Sequence, residues 1–87
     1  MNARLTIEYY VAEGAVIRML GLVERRGFRV TRIVMAEQPC GRRSTLVLEV
    51  TAGAGERSPD ILALQIGRLH GVTRVTHDSA SFRNKAA

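Results

Sequence analysis

The spacing of hydrophobic and polar positions changes several times along this chain, and each change marks an element. Residues 4–11, RLTIEYYV, alternate, with Leu5, Ile7, Tyr9 and Val11 on one side and Arg4, Thr6, Glu8 and Tyr10 on the other. A period of two, rich in β-branched and aromatic residues, predicts a half-buried strand. After a short connection at 12–14 the period lengthens. Val16, Met19, Leu20 and Val23 make one apolar stripe, predicting a helix from Ala15 to Arg26. Arg25 and Arg26 suit the negative end of its dipole, and Gly27 supplies a left-handed stop. A second strand follows at 28–36, but its phase slips: Phe28 and Val30 have one parity, Ile33 and Met35 the other. Both pairs reach the core only if the strand bulges near Thr31-Arg32.

Pro39 and Gly41 mark a turn over 37–43, and a third strand over 43–52 puts Leu46, Leu48 and Val50 on one face. AGAGER, 52–57, reads as a flexible loop. Ser58-Pro59-Asp60 has the cap, the proline and the first-turn acid of a helix start. Leu62, Ile66 and Leu69 extend that helix over 59–70, and a last strand spans 72–78. The domain is expected over 1–79, with 80–87 a disordered tail.

The order βαββαβ is that of an α+β, ferredoxin-like sandwich, a four-stranded antiparallel sheet with both helices on one face. Right-handed crossovers make strands one and three central and leave two and four at the edges. Leu5, Ile7, Val16, Met19, Leu20, Val23, Val30, Leu46, Leu48, Leu62, Ile66 and Leu69 form the expected core. Strand two is a poorly protected edge, since Val30, Ile33, Val34 and Met35 leave it little charge beyond Arg29 and Arg32. A homodimer is therefore expected through it, with Val30, Arg32, Ile33, Val34 and Met35 at the interface. For Arg29 and Arg32 a solvated strand charge is the plainer reading and a partner contact the other.

Composition narrows the function. With 87 residues there is room for one core, and 46% hydrophobic content excludes wholesale disorder. No apolar run approaches the length of a membrane span, and no signal-peptide core precedes the first strand. The one cysteine, Cys40, fits a reducing cytoplasm. A net charge of +5 comes from 12 arginines and one lysine against eight acids. The arginines are scattered, so a basic surface facing an acidic protein is a plainer reading than nucleic acid. Arg26-Gly27-Phe28 briefly matches an RNA-recognition strand, but Arg29-Val30 follows where stacking aromatics would stand. Gly53-Ala54-Gly55 lacks the lysine of a phosphate loop. His70, His77, Cys40 and Asp78 lack the spacing of a zinc site. No catalytic constellation is evident, so no catalytic residue, metal or cofactor is expected in this chain.

The Gly14 helix opening, Arg18, Gly21-Leu22 and Arg26-Gly27-Phe28, with Val30, Ile33 and Ala36 beyond, resemble an ACT domain, specifically the short, single-domain small subunit of acetolactate synthase. A looser likeness runs through Leu46–Val50 and Gln65–Leu69 to Val72–Val75. The resemblance implies a non-catalytic regulatory subunit in branched-chain amino-acid biosynthesis. Thiamine diphosphate, FAD and magnesium would then sit on a large catalytic partner. It also implies a branched-chain amino-acid ligand held by Val11, Gly14, Ala15, Val16, Arg29 and Ala36, partly across two chains. At Gly14 two readings stand side by side: a tight strand-to-helix turn, and a loop that receives a carboxylate on free helix N–H groups. Two positions depart from the family pattern, with Val11 and Arg29 standing where asparagines are usual. Both changes remove amides suited to an amino acid's charged ends, which implies weak sensitivity or insensitivity to valine. A free-standing ACT-domain sensor, and a ferredoxin-like nucleic-acid module, are the rival readings. Gly21, inside a helix, is expected to mark close packing against another element.

Overall fold

Residues 2–52 and 58–79 are described by the computed structural model. In chain order they form β1 (Asn2–Tyr10), α1 (Ala15–Arg25), β2 (Phe28–Glu37), β3 (Arg43–Ala52), α2 (Pro59–Gly67) and β4 (Val72–Ser79). The strands make one antiparallel sheet in the order β2-β3-β1-β4, with the predicted strands at its centre and edges. The expected loop at 52–57 falls largely outside the described residues, and the expected tail at 80–87 falls wholly outside them. Among the described residues no helix is long and apolar enough to cross a membrane.

Alternation along β1 buries Ala3, Leu5, Ile7 and Tyr9, and β3 answers with Ser44, Leu46, Leu48 and Val50. Val11, expected to continue the apolar face, lies beyond the strand and is 51% exposed. Its N–H donates to the Arg42 carbonyl at 2.8 Å, tying the exit of β1 to the entry of β3 while the side chain stays in solvent.

α1 buries Ala15, Met19, Leu22 and Val23. At about 100° per residue this centres its buried stripe between Ala15 and Met19. Val16 and Leu20 then fall on one flank, Arg18 and Arg25 on the other. The first pair, expected in the core, is half-buried against its margin. Arg25 lines a groove against α2 and Arg18 a hollow against the entry of β4, so the flank with Val16 and Leu20 faces β2. The expected close packing at Gly21 is absent, because a Cβ built there meets nothing within 4 Å. The helix ends one residue early, and Gly27 adopts the left-handed φ of 89° that its stop requires.

The phase slip in β2 is a bulge, with the register against β3 shifting between Val30 and Arg32. The Thr31 hydroxyl donates to the Glu49 carbonyl at 3.0 Å there. Val30 then lies opposite Val50, Ile33 opposite Leu48 and Met35 opposite Leu46, so all three share the helix-bearing face. Only the first half of the strand is covered. α1 runs from the end of β1 to the start of β2, so it shields Phe28 and leaves Val30 half-buried. Ile33 remains 46% and Met35 57% exposed, so the bulge aims them correctly without burying them.

Ser58 caps α2 by position, without a side-chain hydrogen bond, and Pro59 follows. α2 ends at Gly67, three residues before its predicted end at 70. The N–H groups of Arg68 and Leu69 reach back only three residues, to Gln65 and Ile66 at 3.2 and 3.0 Å, which tightens the chain out of the helix. Leu69, expected in the core, is consequently half-buried at its edge. His77 of β4 pairs with Asp60 of α2 at 2.7 Å and ties the two together.

Candidate functional site

Gly14 stands between β1 and α1 with φ 79° and ψ 0°, a left-handed conformation that turns the chain abruptly into the helix. The Ala15 N–H is held by the Ala12 carbonyl at 3.1 Å, and the Gly14 carbonyl accepts from the Arg18 N–H at 3.0 Å. The next donors, on Val16 and Ile17, precede any intrahelical acceptor. No acidic residue occupies the first turn to neutralise the positive end of the dipole. A Cβ at Gly14 would lie 3.1 Å from Arg18 Nη1, so the missing side chain lets this guanidinium fold back over the loop.

Between the loop and the entry of β4 lies a hollow of about 390 Å³. Its walls include Tyr10, Ala12, Ala15, Arg18, His70 and Thr73. Arg18, His70 and the open helix end suit an anion there. Of these residues only Ala15 was expected in a site. Arg18 carried a signal as part of the glycine-led pattern. Tyr10 and His70 carried none, because the fold brings them together from distant parts of the chain.

The other expected site residues are dispersed. Val16, the second residue of α1, lies on the flank facing β2. Val11 is exposed beside the loop. Ala36 is exposed near the end of β2, opposite Thr45, at the same end of the sheet as Gly14. Arg29 lies opposite Thr51, which itself lies opposite Asn2, at the far end of the sheet. Within one chain Arg29 and Gly14 are therefore not neighbours. At the expected interface Arg32, Ile33, Val34 and Met35 are exposed and Val30 is half-buried. β2 pairs with β3 along one side only, and its other side is the sheet's edge.

His70 borders the hollow, while His77 is directed to Asp60. Among the described residues no three His, Cys, Asp or Glu side chains cluster as metal ligands. Cys40 is exposed in the turn between β2 and β3. Backbone N–H groups of Arg42 and then Arg43 beside its sulfur favour the thiolate, lowering its pKa below the ordinary thiol value. No residue pattern signals this, because the donors belong to the backbone.

ACT domains as a family match residues 11–75. No curated protein matches the chain. Among solved structures, the ACT domain from GTP pyrophosphokinase of Chlorobium tepidum is similar with a TM-score of 0.69 at 16% identity, covering 90% of this chain and 97% of that one. Formyltetrahydrofolate deformylase from Burkholderia mallei gives 0.68 at 18% identity, covering 88% of this chain but 27% of the deformylase. Its counterpart from Pseudomonas putida gives 0.73 at 11%, covering 92% and 29%. At these identities the structures share the fold. The family match spans most of the chain, from the Gly14 loop through α1, β2, β3 and α2 into β4, and the chain belongs to the ACT domain family of small regulatory modules.

Proposed function

We propose that this chain is a non-catalytic regulatory subunit that activates the large subunit of acetolactate synthase while conferring little or no sensitivity to valine. The residue pattern around Gly14 and Arg26-Gly27-Phe28 supports the partner, whose thiamine diphosphate, FAD and magnesium would carry the chemistry. The observation that carries the regulatory half is Val11. Its side chain has no polar group, and its N–H is already spent on the Arg42 carbonyl. A ligand's ammonium or carboxylate placed beside it goes unpaired. Such a loss costs a few kcal/mol, about a hundredfold in affinity.

Arg29 joins the site only from a second chain. Antiparallel pairing of two β2 edges brings the Phe28–Val30 end of one strand beside the Met35–Glu37 end of the other. Its guanidinium there holds a carboxylate but accepts nothing from an ammonium. Reconstituting the large subunit with this chain tests the proposal: activity rises, and valine inhibits weakly or not at all. Strong inhibition dependent on this chain, or no activation, overturns it.

A free-standing amino-acid sensor is the second reading, favoured by the hollow with Arg18 and His70, which a single chain forms unaided. Co-purification separates the two. A regulatory subunit brings down a thiamine-dependent enzyme, whereas a sensor binds an amino acid and brings down none.

A further inference from the structure

We propose that the groove between the last turn of α1 and the first turn of α2 is a second binding site, for a small carboxylic acid with an apolar body and an N–H donor beside the carboxylate. An apolar α-amino acid is the simplest such molecule. The groove has a volume of about 370 Å³, within the roughly 300–1,000 Å³ typical of small-molecule sites. It opens at Arg25 and Arg26, whereas the Gly14 loop lies at the other end of α1. Eleven residues of helix separate the two by roughly 16 Å.

Each part of the groove asks for a different part of this ligand. Phe28 and Leu62 form an apolar floor and Ile61 a rim that is 57% exposed. Among the described residues neither Arg25 nor Arg26 has an ion-pair partner, and none that lines the groove is acidic. Two guanidiniums at the mouth of an apolar groove favour an anion, and their planar forks fit a carboxylate. Gln65 lines the same groove, and its Oε1 is buried with no hydrogen-bond partner among the described residues, so a ligand reaches it as the side chain turns outward. An unsatisfied buried acceptor needs a donor, which a plain carboxylate or a hydrocarbon lacks. An α-ammonium lies one carbon from its carboxylate and supplies both.

Nitrogen-15 NMR of the intact chain tests this with L-leucine, 4-methylpentanoate, isopentylamine and inorganic phosphate as probes. Leucine should move the Gln65 side-chain amide and the Arg25 and Arg26 Nε–H signals. 4-Methylpentanoate, which lacks the ammonium, should bind at least about tenfold more weakly, and isopentylamine and phosphate should leave these signals still. The double variant Arg25→Ala, Arg26→Ala should lose leucine at this site by about tenfold or more, with Gly14→Ala retaining it. Gln65→Leu, which keeps the volume and removes the acceptor, should erase the preference for leucine over 4-methylpentanoate. Unmoved Gln65 and arginine signals at millimolar leucine overturn the proposal. So does phosphate binding as tightly as leucine, or leucine shifts confined to the Gly14 loop, the last leaving the regulatory reading intact.

Discussion

Gly14 holds φ at 79°, so any side chain there must adopt the left-handed region at a cost of about 1–2 kcal/mol. Gly14→Ala should lower the urea midpoint accordingly, with Arg18 Nη1, 3.1 Å from the new Cβ, swinging away as the flexible neighbour. Gly21 should behave oppositely. It sits in regular helix with nothing near its missing Cβ, so Gly21→Ala should stabilise the chain by about 0.5–1 kcal/mol in the same assay. The sequence marked both glycines, yet only Gly14's turn was legible, since a break in period announces a turn and nothing local announces empty space. Cys40 makes the same point chemically. Its thiolate is favoured by the Arg42 and Arg43 N–H groups, so the reactive form persists to lower pH than in free cysteine. Iodoacetamide should alkylate Cys40 with a rate midpoint below that of a model thiol, the rate falling as pH drops through that midpoint.

At the scale of elements, parity and period were enough for order, topology and the bulge at Thr31. They were not enough for coverage, because which half of β2 lies under α1 depends on the path of the helix over the sheet. Burial likewise separates two positions expected in the core. Ile66 is 0% exposed, and Ile66→Ala should cost about 2–5 kcal/mol by urea unfolding. Leu20 lies half-buried on the β2 flank, and Leu20→Ala should cost clearly less, about 1–2 kcal/mol. The uncovered end of β2 makes a separate expectation for assembly. Paired edges would enclose Ile33, Val34 and Met35, so sedimentation should show a dimer for the native chain and a monomer for Met35→Lys. A monomeric native chain at high concentration removes the edge-paired dimer. α2 lost its last turn for a reason invisible in its apolar stripe: Arg68 and Leu69 tighten to three-residue bonds before Gly71 turns the chain.

For the whole molecule, the sequence indicated a site at one loop, whereas the fold makes two hollows at opposite ends of α1. Gly14 was legible because glycine at a strand-to-helix boundary has a local cause. The convergence of Tyr10, Arg18 and His70 was not, since it arises only when β1, α1 and the turn between α2 and β4 meet. Strand order has a further consequence, which concerns how the chain is made. β1 is the first described strand to leave the ribosome, and it becomes a central strand of the finished sheet. Its partners come much later: Asn2 pairs with Thr51, and Ala3 with Ser79. Until β3 emerges, the nascent chain holds Leu5 and Ile7 on a strand with neither neighbour. Even then one edge stays open until β4 arrives. Such non-local pairing places refolding between that of helical bundles, about microseconds to milliseconds, and that of all-β sandwiches, about milliseconds to seconds. A chain released before β4 is made would carry the hydrogen-bonding edge of its central strand into solution, where another copy of the same strand is the nearest substitute.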